Sequence, residues 1–312
     1  MSLRSTQVWL LARLLLAAIL ALSSVSAFAA KDFQFGVIGH SFRNGPDAQM
    51  LKQAISETNQ AALAFVVVNA IKASTESCSD KLYGQRKSIL ATSTRPLILS
   101  LAASDWIDCK NSLGRSTSID RLNRLREVFF ADAMSQGERK IGQSRLSASA
   151  SFRSYAENAH WEHEGILFST INLPANNNHY RSEAGRNSEF EDRLVANRSW
   201  LKRLFAMAQR KELAALVLIS DGDAGLLSSQ RHPLDTRHDG FTEVRHQIKT
   251  LAKKFPGQVL LIDSQIGETP TAPDITWSGN IGHLSVSANW LKIRVHPTGE
   301  RLSIFSIKDR GQ

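Results

Sequence analysis

The stretch FVVVNAIK, residues 65–72, decides the fold. Four consecutive apolar residues, three of them β-branched, read as a buried core strand, and Asn69 marks where the chain surfaces. In an open α/β sheet the carboxyl ends of such strands are where ligands and catalytic groups are held. Here the first residues delivered to that place are Asn69 and Ala70, and neither carries charge. Working outward, FQFGVIG (residues 33–39) reads as a preceding strand and RPLILSL (residues 95–101) as a following one. Between them, PDAQMLKQAISETNQ puts Met50, Leu51, Ala54 and Ile55 on one helical face, and residues 80–92 read as a second helix. A β-α-β-α-β run of this kind predicts a largely parallel sheet.

The chain beyond is less regular. Residues 119–134 read as a helix through Leu122, Leu125, Val128 and Phe129, and serine-rich 144–154 as a loop. GILFSTINL (165–173) is strand-like and runs into the turn PANNNHY. Residues 190–213 form a long amphipathic pattern, followed by a strand at 216–219 and the sequence DGDAG. A helix over 241–255 leads to a strand at 259–262. The tail then changes to short strands at 284–287, 291–296 and 302–307, for which antiparallel pairing is expected.

The first residues, MSLRSTQVWLLARLLLAAILALSSVSAFAA, follow the grammar of a secretory signal peptide. Arg4 and Arg13 precede an apolar run from Leu14 to Leu22, and Ala27-Phe28-Ala29 is an A-x-A cleavage site. That run is short for a membrane span of roughly 20 residues. The expected organisation is a leader over 1–29 and a single domain over 30–312. The leader holds two arginines and no acids, so its removal takes the formal charge from +9 to +7. Basic residues are scattered without aromatic interleaving, which speaks against nucleic acid and fits a solvated basic surface on an exported protein. The two cysteines, Cys78 and Cys109, are expected to form one disulfide in an oxidising compartment.

Three segments together carry a family likeness: FGVIGH, FVVVNAIK with ESCSDKLYGQR, and RPLILSLAASDWIDC. With ENAHWEHEGILFSTINLPANNN, EFEDRLVANRSWL, HDGF and WLKIRVHP, the chain resembles the secreted branch of the calcineurin-like metallophosphoesterases over about residues 33 to 308. The resemblance implies an α/β fold with two mixed β-sheets packed face to face as a sandwich, flanked by helices. It also implies two divalent ions at the strand ends that polarise a phosphate and generate a hydroxide nucleophile. The family's ligand positions are occupied differently here. Its aspartate after the first strand is His40. Its Gly-Asp after the second, the aspartate bridging both metals, is Asn69-Ala70. Its Gly-Asp-Asn-Glu-Trp after the third is Ala102-Ala103-Ser104-Asp105-Trp106, and its terminal histidine motif falls at Asp263-Ser264-Gln265. Ala70 offers no lone pair, Ser104 is a poor ligand and Gln265 lacks an imidazole nitrogen, so the standard dimetal centre is expected to be lost.

The remaining candidates are few. His40 is the best polar residue at the expected mouth, as a ligand or base with Asp105 and Asp263 as partners by position, or as a hydrogen-bonded strand cap. Asp221 and Asp223 in SDGDAG suit a turn and also a hard cation. HWEHE (160–164) misses the helical zinc spacings. Asn172 and the turn Asn176, Asn177 and Asn178 are placed by the resemblance near the pocket, as lining for an anionic or sugar ligand. No nucleophile elbow or phosphate-cradling glycine loop occurs. The leading reading is an exported, catalytically inactive binding or scaffolding module for a phosphate-bearing or glycan ligand, with no cofactor. The alternative is a phosphoesterase with a rearranged, single-metal site drawn from His40, Asp105, Asp221, Asp223 and Asp263.

Overall fold

The computed structural model describes residues 31–39, 42, 45–46, 48–182, 187–227, 238–265, 274–286, 288–297 and, as backbone, 305–310. The leader and His40 lie outside the described residues.

The run read from the sequence builds the first sheet. Strands β1 (Phe33–Ile38), β2 (Val66–Asn69) and β3 (Leu97–Ser100) pair in parallel, with Val67 opposite both Val37 and Ile98. Helix α1 (Gln49–Gln60) crosses between β1 and β2 and buries Leu51, Ala54, Ile55 and Thr58, a spacing that makes one continuous stripe. Helix α2 (Asp80–Ala91) returns to β3. Its amino end is capped by Ser79, whose hydroxyl accepts the Leu82 N–H at 3.2 Å. Helix α3 (Ser118–Phe129) is shorter than its apolar pattern predicts. Residues past Phe129 fold back instead, and Gln136 exchanges two backbone hydrogen bonds with Leu97 at 2.7 and 2.9 Å, satisfying the otherwise open edge of β3.

The second sheet collects the rest. The segment HWEH belongs to a strand, β5 (Ala159–His163), which forms a hairpin with β6 (Ile166–Thr170). The serine-rich segment before it holds a two-residue strand, β4 (Ser144–Arg145), and two short 3-10 turns where a loop was expected. Strands β7 (Ala215–Ile219) and β8 (Gln258–Asp263) add in parallel, joined by helix α5 (Thr242–Ala252); helix α4 (Ser188–Arg210) joins β6 to β7.

The tail departs from the antiparallel expectation in one respect. β10 (Ile281–Ser285) lies parallel to β8 and antiparallel to β9 (Thr276–Ser278), all in the second sheet. β11 (Trp290–Val295) crosses to the first sheet, where it is antiparallel to β1 and to β12 (Phe305–Arg310). Sheet orders are β12-β11-β1-β2-β3 and β4-β5-β6-β7-β8-β10-β9, so both sheets are mixed.

Alternation explains the layers. Phe35, Val37, Phe65 and Val67 from one sheet meet Trp161, Phe168, Val217 and Leu260 from the other in a shared core. Phe65 sits edge-on to Phe168 at 4.9 Å and stacks on Phe35 at 5.3 Å, locking the two sheets face to face. The opposite face of the first sheet is covered by α1–α3, that of the second by α4 and α5. The molecule is therefore an α/β sandwich of two mixed sheets flanked by helices. Cys78 and Cys109 are joined as a disulfide that closes a separation of 31 residues, worth about 3.5 kcal/mol on a chain-entropy account. Among the described residues no helix is long and apolar enough to cross a membrane.

Candidate functional site

The parallel strands of both sheets end at one rim, and there a cleft of about 610 Å³ opens. Its wall is built from the residues that follow those strands: Asn69 and Ala70 after β2, Ala102 and Ser104 after β3, Asp221 after β7, and Ser264 with Gln265 after β8. Gly39, which follows β1 and precedes His40, is also part of the wall.

Asn69 lies on the inner face of its strand and reaches across to the other sheet. Its Nδ2 donates to the Ser220 carbonyl at 3.1 Å and to Ser264 Oγ at 2.7 Å, and its Oδ1 has no partner among the described residues. Ala70 takes φ 66°, a left-handed conformation that costs a non-glycine residue roughly 1–2 kcal/mol. Strain of this kind concentrates at binding and catalytic loops.

The loop after β2 is held from several sides. Arg86, on α2, donates through Nε to the Ile71 carbonyl at 2.7 Å and pairs with Glu76 at 2.5 Å, while Glu76 accepts the Ala73 N–H at 2.8 Å. Buried Lys72 donates to the Ala73 and Ser104 carbonyls at 2.8 and 2.7 Å. Burial pushes its ammonium below the usual lysine range, against the opposing pull of the Asp105 charge.

Asp105 and Asp221 are straps between loops. Asp105 is fully buried and accepts the Ile71 N–H on Oδ1 and the Ala102 N–H on Oδ2, each at 2.9 Å, which ties the β2 loop to the β3 loop. Desolvation drives its carboxyl up to about 7 although both amides and Lys72 pull it down. Asp221 Oδ2 accepts the Ala103 N–H at 2.8 Å and the Ala175 N–H at 2.7 Å, joining the loops after β3, β6 and β7. Burial raises its carboxyl as well.

Asn172 and the asparagine turn stand apart from the cleft wall. Asn172 is buried and donates to Glu157 Oε1 at 3.0 Å. Asn176, Asn177, Asn178 and His179 all have φ between 54° and 58°, a single turn wound left-handed. Asparagine tolerates that region better than other side-chain-bearing residues. The turn is pinned by Asn177, which exchanges hydrogen bonds with Gly240 and the His238 carbonyl, and by Arg193, which donates to the Asn178 carbonyl at 2.8 Å. Gly240 is required there, because a Cβ would lie 2.2 Å from the Asn177 carbonyl oxygen.

The remaining candidates separate into two places. In HWEHE, His160 packs against Trp200 with burial pushing it down to about 4, His163 meets Phe33 edge-on, and Glu162 pairs with Lys211. These three side chains are not gathered. Asp223 and Asp263 are gathered, and the third member of their cluster is His283 of β10, which the sequence reading did not single out. His283 Nε2 is 2.5 Å from Asp263 Oδ2 and 3.5 Å from Asp223 Oδ1. The signal for His283 was present but weak: in IGHLS it alternates with apolar Leu284, so it leaves the inner core and shares a face with Ser285. Its neighbours in sequence say nothing of Asp223 or Asp263.

No protein-family model matches the chain, and no curated protein matches it. Several solved structures are similar to it, among them the following two. One is a purple acid phosphatase from seeds of yellow lupin (Lupinus luteus), with 8% identity and a TM-score of 0.48 over 85% of this chain and 50% of that one. The other is a glutamine-dependent NAD+ synthetase from Acinetobacter baumannii in complex with ADP, with 9% identity and a TM-score of 0.41 over 90% of this chain and 48% of that one. The chain thus spans about half the length of each. Neither likeness bears on its chemistry.

Proposed function

We propose that the chain is an exported protein of the calcineurin-like metallophosphoesterase superfamily whose cleft binds a phosphate-bearing or glycan ligand without metal-dependent hydrolysis. The observation that carries this reading is the state of the cleft wall. Among its described residues the one carboxylate is Asp221, and one of its oxygens already accepts two backbone N–H groups. The other strand-end positions present an amide, two alanines, serines and a glutamine.

Electrostatics gives the reading its weight. Two dications about 4 Å apart repel by roughly 16 kcal/mol at an effective dielectric of about 20, so a pair needs anionic ligands between them. Ala70 supplies none, and Asn69 supplies one neutral oxygen. Neutral donors and acceptors such as Asn69, Ser104, Ser264 and Gln265 are instead the groups that recognise hydroxyls and phosphate oxygens. The leader motif and the disulfide support export.

The test is a pair of assays on the purified protein. Hydrolysis of p-nitrophenyl phosphate and bis-p-nitrophenyl phosphate with added manganese, iron or zinc is expected to stay at the rate of metal alone. A sugar phosphate, which carries both ligand chemistries, is expected to raise the melting temperature, and Ser264→Trp, which fills the cleft, to remove that rise. Turnover that disappears in His40→Ala would establish the single-metal phosphoesterase instead.

A further inference from the structure

We propose that Asp223, Asp263 and His283 form a mononuclear site for a first-row divalent cation, zinc being the best match, outside the cleft. The proposal does not depend on what the cleft binds.

The three donors come from separate pieces of chain that the second sheet brings together: the loop after β7, the end of β8 and the middle of β10. One ligand atom from each lies within 4.8 Å of the others. Strand alternation puts Asp263 on the same face as Leu261, under the helices, and so away from the core between the sheets. β8 and β10 are paired in parallel over five residues, so Asp263 and His283 stand on adjacent, rigid strands.

One donor separation already matches that of a tetrahedral ion, and a second is shorter. Zinc bonds of roughly 2.0–2.1 Å place neighbouring donors about 3.3–3.4 Å apart. The His283–Asp223 separation of 3.5 Å already has that length. The His283–Asp263 separation of 2.5 Å is a hydrogen-bond length and would open by roughly 0.8 Å to admit the metal. The competing occupant of this space is therefore a proton on His283, which the ion would displace.

The surroundings favour a cation. Asp263 is buried, its side chain fully so, and among the described residues neither Asp263 nor Asp223 pairs with a lysine or arginine. Its Oδ1 accepts from Ser285 Oγ at 2.9 Å and from the Gln265 N–H at 2.8 Å. Those two bonds fix the carboxylate and leave Oδ2 for the ion, an outer support that metal-binding carboxylates commonly carry. One imidazole nitrogen with two carboxylate oxygens suits zinc, cobalt or nickel better than calcium or magnesium, which prefer all-oxygen sets. The Asp223 side chain is 37% exposed, so a water can reach the fourth position.

The experiment is calorimetric titration of zinc chloride into the full-length protein after EDTA stripping, with His283→Ala and Asp223→Asn alongside. Near-ultraviolet circular dichroism establishes that each variant is folded. The wild type is expected to take up one zinc per chain, and each folded variant to bind at least about tenfold more weakly. Asp223 lies in a partly exposed loop, so Asp223→Asn decides the matter if His283→Ala does not fold. Absence of saturable uptake by the wild type, or wild-type affinity in either folded variant, overturns the proposal.

Discussion

Asn69 and Ser264, 195 residues apart, join at 2.7 Å through Nδ2 and Oγ, and this bond closes the gap between the two sheets at the rim of the cleft. The end of β2 therefore carries a neutral clamp between the two sheets. The same Nδ2 also donates to the Ser220 carbonyl at 3.1 Å, so both amide protons are engaged.

Replacing Asn69 by Asp, which would place a carboxylate at this end of β2, is accordingly expected to harm the fold. The variant removes both donors and sets a charge against the Ser220 carbonyl in a buried position, a loss of about 3 kcal/mol. Urea unfolding of Asn69→Asp should show a lower midpoint with an unchanged slope. A midpoint equal to the wild type would mean that the clamp contributes nothing.

Asp221 is expected to matter as an acceptor rather than as a ligand. In Asp221→Ala the N–H groups of Ala103 and Ala175 lose their shared partner, and the cost is about 2–5 kcal/mol. In Asp221→Asn the amide oxygen can still accept both, and the cost falls to about 1–2 kcal/mol. Chemical denaturation of the two variants checks the order. If Asn proves as damaging as Ala, the negative charge and not the acceptor geometry is what the loops require.

Asp105 makes a prediction about pH. Its carboxyl stands at about 7 in the folded protein against about 3.9 in an unfolded chain, because burial disfavours the charge. A raised carboxyl contributes stability that is full below about pH 4 and lost as the pH rises through about 7. Asp105→Asn cannot titrate and serves as the reference. The stability difference between wild type and Asp105→Asn should therefore be larger at pH 5 than at pH 8, measured by denaturant midpoints in each buffer. A difference that grows with rising pH would show that the carboxylate is stabilised by Ile71, Ala102 and Lys72 more than burial opposes it.

Local pattern and nonlocal pairing explain what could be read in advance. The apolar run of β2 and the one-faced stripe of α1 are local signals, and they gave the parallel start of the first sheet. β10 and β11 carry similar short alternations, yet they lie in different sheets, because pairing with β8 or with β1 depends on residues more than twenty positions away. α3 stops early for a related reason: Gln136 satisfies the edge of β3, a gain that helix propensity does not register. The same division holds for the site. Asn69 and Ala70 announce themselves by ending a strand. Asp105 and Asp221 do their work on backbone amides, which no side-chain motif encodes, and His283 meets its two aspartates only through sheet register.

Crystals of the protein grown with manganese or zinc, with data collected at the metal's absorption edge, test the central claim most directly. The account predicts no pair of anomalous peaks in the cleft beside Asn69 and Ala70. Two peaks about 3.5–4 Å apart at that position would contradict it.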